Sequence, residues 1–530
     1  MTVRQITPSL GDCQTVSDLL RAGAETWSDR EAFVEVAGDD RRALSFGAWD
    51  AAADAVAALL ADRGLGRGDV LALLLPSSID YAIAYQAAIR LGAVTTGLNL
   101  RLGPPEQASI MARARPRITV VDTDLIPAAE VPPGSGTVLP RVDLAGAVAA
   151  SGPAPRLPAL DPADPVAIVW TSGSTGIPKG ALFDHRNLAA VAAGTDVLSA
   201  PGDRRLSPLP FPHVGYMTRP WDEIAQGITT VIVPQPWTAA STLRLMEAEQ
   251  VTVGQGVPTQ WALVLAHPAF DDTNLSGLRV AGTGASRVPP ELVRAMRERL
   301  GCPVVVRYTS TETSLGTGTR PGDPDGVVAT TVGRPVPGVE LELVAEKGGP
   351  VLPEEVGRVR LRSGASFRGY VATGTTLDLV ATASVLDDAG WVTTGDLGRL
   401  DHDGNLQLVG RVSEMYIRGG YNVYPAEVEA VLGGCPGVAQ VAVAGRPDPV
   451  LGEIGVAYVV VDPAGPPVDL AGLRRFAAGL LTDYKAPDRL QLLAELPLTA
   501  MAKVDKRTLA ARPPDLDHRP DREPTRSPTP

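Results

Sequence analysis

A chain of 530 residues is longer than a single hydrophobic core usually grows, so one large unit and at least one smaller one are expected. Its 44% hydrophobic and 20% charged residues, with few aromatics, exclude a fibre or a largely disordered chain. A formal charge of −12 with no basic stripe excludes a nucleic-acid partner held through its phosphates.

Met1–Gln14 has no apolar stretch behind a basic start, and the longest apolar strand-like run, Val70–Leu75, is far too short to cross a bilayer, so neither a secretory leader nor a membrane span is expected. Cys13, Cys302 and Cys435 match no C-x-x-C spacing and leave an odd thiol, which fits a reducing compartment. His185, His213, His267, His402 and His518 show no paired-ligand spacing, so a zinc site is set aside.

In chain order, Trp49–Arg63 reads as an amphipathic helix with Trp49, Ala53, Val56 and Leu60 on one face and Gly64 ending it. Val70–Leu75 follows as a buried strand, and a second helix runs to Leu91, where Gly92 stops it. Strands near Val166–Trp170, Thr229–Val233, Val251–Gly254, Leu278–Ala281 and Pro303–Arg307 alternate with helices such as Ala239–Gln250 and Pro290–Leu300. This alternation predicts an α/β fold with largely parallel sheets.

From Thr331 to Val409 the pattern changes to short strands, Val339–Val344, Gly357–Arg362 and Leu406–Val409, broken by Asp403-Gly404, which predicts a small β-rich subdomain. Beyond Arg411 the helices Pro425–Leu432 and Leu470–Leu481 and the strands Ala439–Ala444 and Gly455–Val461 predict a compact α+β unit. The expected division is 1–411, 412–511 and a disordered tail at 512–530, where Pro, Asp and Arg leave no apolar face to bury.

The sharpest local signal is Thr171-Ser172-Gly173-Ser174-Thr175-Gly176-Ile177-Pro178-Lys179-Gly180, directly after a strand. Small hydroxyl and glycine residues let N–H and O–H groups approach a polyphosphate, and Lys179 adds a cation, although the order is not that of a Walker A loop. Composition alone fits a surface connection as well. Lysine usage favours the first reading: five of the 48 basic residues are lysine and the rest arginine. Of Lys179, Lys347, Lys485, Lys503 and Lys506, all but Lys347 fall in or near segments singled out on other grounds. A compact ammonium suits a point contact with a phosphate or carboxylate oxygen.

That loop is followed in order by Leu209-Pro210-Phe211-Pro212-His213-Val214-Gly215, Tyr308-Thr309-Ser310-Thr311-Glu312, Thr394-Gly395-Asp396, Gly410-Arg411, Gly419-Gly420-Tyr421-Asn422-Val423-Tyr424-Pro425 and Ala502-Lys503. The series resembles the motif set of the adenylate-forming superfamily over nearly the whole chain, most of all that of bacterial acyl-CoA and aryl-CoA ligases, and Gly419–Pro425 resembles the bacterial fatty-acyl-CoA ligase version of its loop. The resemblance implies a large N-terminal domain of α/β subdomains with a small β-rich subdomain, followed by a small mobile α+β C-terminal domain. It implies an ATP-dependent ligase that activates a carboxylic acid as acyl-adenylate, releases pyrophosphate and transfers the acyl group to the thiol of CoA. ATP, Mg²⁺ and CoA follow from it, as do a cytoplasmic location and a monomer or homodimer.

Residue by residue, the resemblance gives Thr171, Ser172, Gly173, Ser174, Thr175, Gly176 and Lys179 to the polyphosphate, Tyr308 to adenine, Thr311 to the α-phosphate and Glu312 to Mg²⁺. Asp396 matches the ribose-binding carboxylate and Arg411 the arginine that joins it. Gly284-Ala285-Ser286, where Gly-Gly-Ala is usual, matches the loop between adenine and the acyl pocket, and Thr309, next to Tyr308 in its own motif, stands where Gly is usual. His213 matches the residue that walls the acyl pocket. Lys503 matches the lysine that bridges the acid and ATP, and Gly419 and Gly420 the loop that forms a thiol tunnel once the small domain turns about a hinge at Ser413.

Read singly, Tyr308 is equally a packed aromatic, Glu312 a helix-start residue, Asp396 a turn cap, Arg411 a surface cation and Lys503 an exposed lysine. Arg219, near His213 and Trp221, reads either as a contact for a second acid or polar group on the substrate or as a structural arginine. Ser413, where the family has Asp or Lys, keeps open an acceptor other than CoA: an amine, a carrier-protein thiol, or nitrite activated for N–N bond formation. A catalytically silent nucleotide- or acyl-binding protein is the third possibility.

Overall fold

The computed structural model describes residues 10–38, 40–150, 156–171, 178–285, 288–345, 348–349, 351–352, 354–499 and 504–513. Ser172, Gly173, Ser174, Thr175, Gly176, Ser286, Lys503 and the tail from residue 514 lie outside them.

Ser45 starts the helix Phe46–Asp62 by accepting the N–H of Ala48, and Trp49, Ala53, Val56 and Leu60 are buried along one face. The strand Val70–Leu74 is buried throughout, as a strand covered on both faces must be. The helix Ile79–Arg90, capped by Ser78, is buried on every side, and Gly92 (φ +67°) turns the chain out of it. Arg90, fully buried at its last position, is ion-paired with Asp50 and Asp54 of Phe46–Asp62.

Among the described residues the first large sheet has nine strands, in the order Arg334–Pro335, Thr317–Gly318, Val304–Tyr308, Val280–Gly284, Val253–Gly256, Arg204–Ser207, Thr229–Ile232, Glu31–Ala37 and Asp40–Ser45. The six from Val304–Tyr308 to Glu31–Ala37 are parallel, with antiparallel pairings at the flanks. A second sheet of eight strands places Pro165–Thr171, Val94–Gly97, Val70–Leu74, Ile118–Val121 and Thr137–Pro140 in parallel. Lys179–Asp184, Gly369–Thr373 and Thr376–Leu377 complete it in antiparallel sense. A four-stranded sheet orders Val339–Val344, Gly357–Ser363, Val392–Leu400 and Leu406–Arg411.

The chain forms two compact units: the first reaches Glu354 and takes in Val359–Thr394 and Leu400–Gln407, while Glu355–Arg358, Gly395–Arg399 and the chain from Leu408 form the second. The border drawn from the sequence at 411/412 falls a few residues inside the second unit. That unit has its own core, in which Tyr416, Val423, Val428, Leu432, Val443, Val459 and Leu473 pack between a sheet and the helices Pro425–Leu432 and Leu470–Ala477. The latter helix stops short of its predicted end, because Ala478 is extended and Gly479 (φ +85°) follows.

Strands expected at Val251–Gly254 and Leu278–Ala281 run at Val253–Gly256 and Val280–Gly284. Val251 and Leu278 are buried, but they pack before pairing begins. No helix among the described residues is long and apolar enough to cross a membrane. Cys302 and Cys435 are free thiols, and burial, with Asp18 and Asp12 adding at Cys13, pushes Cys13 and Cys302 up to about 11.

His185 is buried, and its Nδ1 accepts the Val16 N–H at 3.1 Å, which requires the neutral ring. Burial pulls its pKa down to about 4 from 6.5, against the pull of Asp164 and other carboxylates. The unfolded chain therefore binds this proton more readily, so the contribution of the neutral ring, roughly 3 kcal/mol, is whole above pH 6.5 and lost as the pH falls to 4. Urea unfolding is expected to lose stability over that window in the wild type and much less in His185→Gln; equal pH slopes would refute the assignment.

Candidate active site

The connection after Pro165–Thr171 leaves and re-enters one sheet, because Thr171 is the register partner of Lys179 in the antiparallel strand Lys179–Asp184. What reads in sequence as one loop through Gly180 is thus strand again from Lys179. Lys179 Nζ lies 5.0 Å from the centre of the Tyr370 ring, within cation–π range. Tyr370 sits in the next strand, Gly369–Thr373, opposite Ala181. Its hydroxyl donates to Glu312 Oε1 at 2.7 Å. Burial first, and the Glu312 carboxylate beside it, raise the phenol above its ordinary range and keep it a donor. The carbonyl of Glu312 accepts the N–H of Phe367 at 2.8 Å, so both ends of this residue are held.

Tyr308 ends the strand Val304–Tyr308 and belongs to a buried apolar cluster that includes Val191, Leu315, Val336 and Leu361. Its hydroxyl donates to Thr394 Oγ1 at 3.3 Å, and Thr394 donates to the Val359 carbonyl at 2.9 Å. Thr309 is exposed, and Thr311 and Glu312 are half-buried in the turn that follows. A Cβ at Gly284 would collide with the Arg307 carbonyl of the adjacent strand, so only glycine fits there. Ala285, where the resemblance has a second glycine, sits at φ +63° in the left-handed region that glycine fills without strain.

His213 caps the short helix Val214–Met217, its Nδ1 accepting the Gly215 N–H at 3.0 Å. Its segment is fixed by Phe211, which stacks on Tyr216 at 3.5 Å and meets Tyr81 edge-on at 5.4 Å. These groups belong to the first unit, which joins Lys179, Tyr370 and Glu312 in one chain of contacts.

In the second unit Arg411 Nε donates to Asp396 Oδ1 at 2.8 Å. Gly419 and Gly420 (φ +56° and +89°) make the two-residue connection between the paired strands Tyr416–Arg418 and Tyr421–Val423. Positive φ at both positions is the type I′ requirement that favours glycine. Lys485 bonds Glu427 at 2.6 and 2.8 Å, and Lys506 lies 2.8 Å from both Glu414 and Glu429. Burial works against the Lys506 charge, but Glu429 and Glu414 outweigh it and raise its pKa. Two of the scarce lysines thus serve ion pairs inside this unit.

The AMP-binding enzyme model matches residues 20–371 and the AMP-binding enzyme C-terminal domain model matches residues 427–503. The chain belongs to the AMP-binding enzyme family. An indoleacetate–CoA ligase of Aromatoleum aromaticum is 34% identical over 92% of this chain and 98% of its own length. The 3-[(3aS,4S,7aS)-7a-methyl-1,5-dioxo-octahydro-1H-inden-4-yl]propanoyl:CoA ligase of Mycobacterium tuberculosis is 35% identical over 94% and 98%. The structure of o-succinylbenzoate CoA synthetase from Bacillus subtilis, in complex with an acyl-adenylate intermediate, superposes with a TM-score of 0.81 at 26% identity, covering 93% of this chain and 98% of that one. This AMP-binding enzyme is an AMP-forming ligase with the fold of the adenylating enzymes.

Tyr370 is the residue that sequence reasoning misses: a lone tyrosine in a short strand has no spacing signal, and only the sheet order brings it between Lys179 and Glu312. Tyr370→Phe keeps the ring under Lys179 and removes the bond to Glu312. We expect a roughly tenfold slower pyrophosphate-releasing step, the value of one charge-assisted hydrogen bond. Single-turnover pyrophosphate release would measure it, and an unchanged rate would exclude a role for this contact.

Proposed function

We propose that this protein is an ATP-dependent acid–CoA ligase. A carboxylate oxygen attacks the α-phosphorus of ATP, pyrophosphate leaves, and the thiol sulfur of CoA then attacks the acyl carbon of the adenylate and expels AMP. The observation that carries the reading is the chain Lys179–Tyr370–Glu312, which sets an ammonium and a carboxylate on the two sides of one buried aromatic. It is supported by the full-length similarity to curated CoA ligases.

The attack gathers negative charge on an already anionic polyphosphate, so fixed positive charge lowers the barrier. Thr171, Ser172, Gly173, Ser174, Thr175, Gly176 and Lys179 would take the phosphates, and Thr311 the α-phosphate. Tyr308, with Thr309 and Gly284, Ala285 and Ser286, would flank the adenine, and the Asp396–Arg411 pair would hold the ribose hydroxyls. Lys503 would meet both the acid and the α-phosphate oxygen, His213 would wall the acid, and Gly419 and Gly420 would line the path of the thiol. With ATP and CoA drawn from the cell interior, a cytoplasmic location follows.

Among the described residues no three His, Cys, Asp or Glu side chains gather as a protein-only metal cage. Mg²⁺ needs none, because phosphates and water supply most of its oxygens. Glu312 fits such a role, since the Tyr370 bond occupies one of its two carboxylate oxygens. Bound there, the ion would neutralise phosphate charge.

Pyrophosphate exchange with a panel of acids, run with and without CoA, tests the reading. Acid-dependent exchange plus a CoA thioester is expected; exchange with no thioester at any CoA concentration would replace CoA by another acceptor. Lys503→Ala is expected to cut exchange by about a hundredfold or more, the size of losing a principal electrostatic stabiliser.

A further inference from the structure

Arg205, Arg219 and Arg307 come from separate elements of the first unit: the strand Arg204–Ser207, the residue that caps the helix Pro220–Ala225, and the strand Val304–Tyr308. Their side chains are only 4%, 17% and 18% exposed. Arg205 Nη2 is well bonded, to Asp222 at 2.8 Å, Ser199 at 2.6 Å and the Leu198 carbonyl at 3.1 Å. Arg219 Nη1 comes no nearer than 3.6 Å to Asp222, and Arg307 Nη2 no nearer than 4.0 Å to Asp196. Both nitrogens, with Nε and Nη1 of Arg205, are buried with no hydrogen-bond acceptor.

The acids nearby do not balance three guanidinium charges. Asp222 is shared by Arg205 and Arg219, and Asp196 is 36% exposed. Glu223, 3.7 Å from Arg205, is pushed up to about 7 by burial and by Asp222, against the pull of Arg205 and Arg219. Burial draws Arg307 down to about 10, with Asp196 opposing and Arg219 adding. Burial and Arg205 lower Arg219 as well. Buried cations short of counter-charge are costly unless an anion completes them.

Their placement gives that anion a source. Arg219 follows His213 by six residues, and Arg307 adjoins Tyr308 and pairs in register with Gly284. On the strand opposite, a side chain at Gly318 would collide with the Arg307 guanidinium, so the sheet leaves a space that this side chain fills.

We propose that Arg219 and Arg307 form an anion-recognising end of the acid pocket, and that the acid activated here carries a second anionic group, a carboxylate or sulfonate. This rests on the ligase reading, in which His213 walls the acid and the loop at Gly284 and Ala285 stands between the acid and the adenine. A guanidinium fork matches the planar or trigonal oxygens of either group, and an acid without a second charge leaves the buried nitrogens unmatched.

The test compares kcat/KM for acid-dependent pyrophosphate exchange by the full-length enzyme across matched acids: propanoate, butanoate and pentanoate, the diacids malonate, succinate and glutarate, and sulfoacetate and 3-sulfopropanoate. At least one acid with a second charge should exceed its monoanionic counterpart tenfold or more. Whether the diacids or the sulfo-acids lead distinguishes carboxylate from sulfonate. In Arg307→Met and Arg219→Met the ratio should fall at least tenfold, mainly through KM for the acid with the second charge, and Arg307→Lys should restore part of it. Monoanionic acids preferred at every length, or a ratio unmoved by both methionine variants, would overturn the inference alone. No pyrophosphate exchange with any acid, including aromatic and long-chain ones, would overturn the ligase reading and the inference together.

Discussion

The polar end of the first unit depends on a single hydroxyl. Tyr370 faces a cation with its ring and a carboxylate with its oxygen, and it can do both because burial keeps its proton in place. Lys179 and Glu312 are far apart in sequence and lie on strands or turns of different sheets. A direct lysine–glutamate pair would neutralise both groups. With an aromatic between them, each keeps charge for a partner of its own, which is what a polyphosphate and its counter-ion require.

Much of this architecture is legible in the sequence, for local reasons. The helices Pro290–Leu300 and Pro425–Leu432 have the predicted bounds, because proline at the first position and glycine after the last fix both ends. Strand starts are less legible: Val251 and Leu278 join the core two residues before the strands begin, so hydrophobicity leads pairing. The parallel order of the strands is anticipated by alternation with helices, whereas the antiparallel neighbours Lys179–Asp184 and Gly369–Thr373 are not, since their pairing depends on contacts far apart in sequence.

The candidate site divides along the same line. Residues inside contiguous motifs, such as Tyr308 through Glu312, can be picked out one by one, but Tyr370 and Arg307 gain meaning only from what the sheets place beside them. Lysine scarcity is a real signal with two outcomes. Lys179 meets an aromatic ring, while Lys485 and Lys506 meet carboxylates inside the second unit. A compact ammonium suits each setting, so rarity marks demanding positions without naming their chemistry.

The pairing of Arg307 with Gly318 has a consequence for how such a pocket diverges. Because the guanidinium occupies the volume where a side chain at 318 would stand, the two positions share one parcel of space. A descendant that shortens residue 307 releases position 318 from glycine, and one that enlarges 318 first must evict the arginine. The two sites should therefore drift as a couple, and a lineage that trades its acid for one without a second charge is expected to record the change at both addresses.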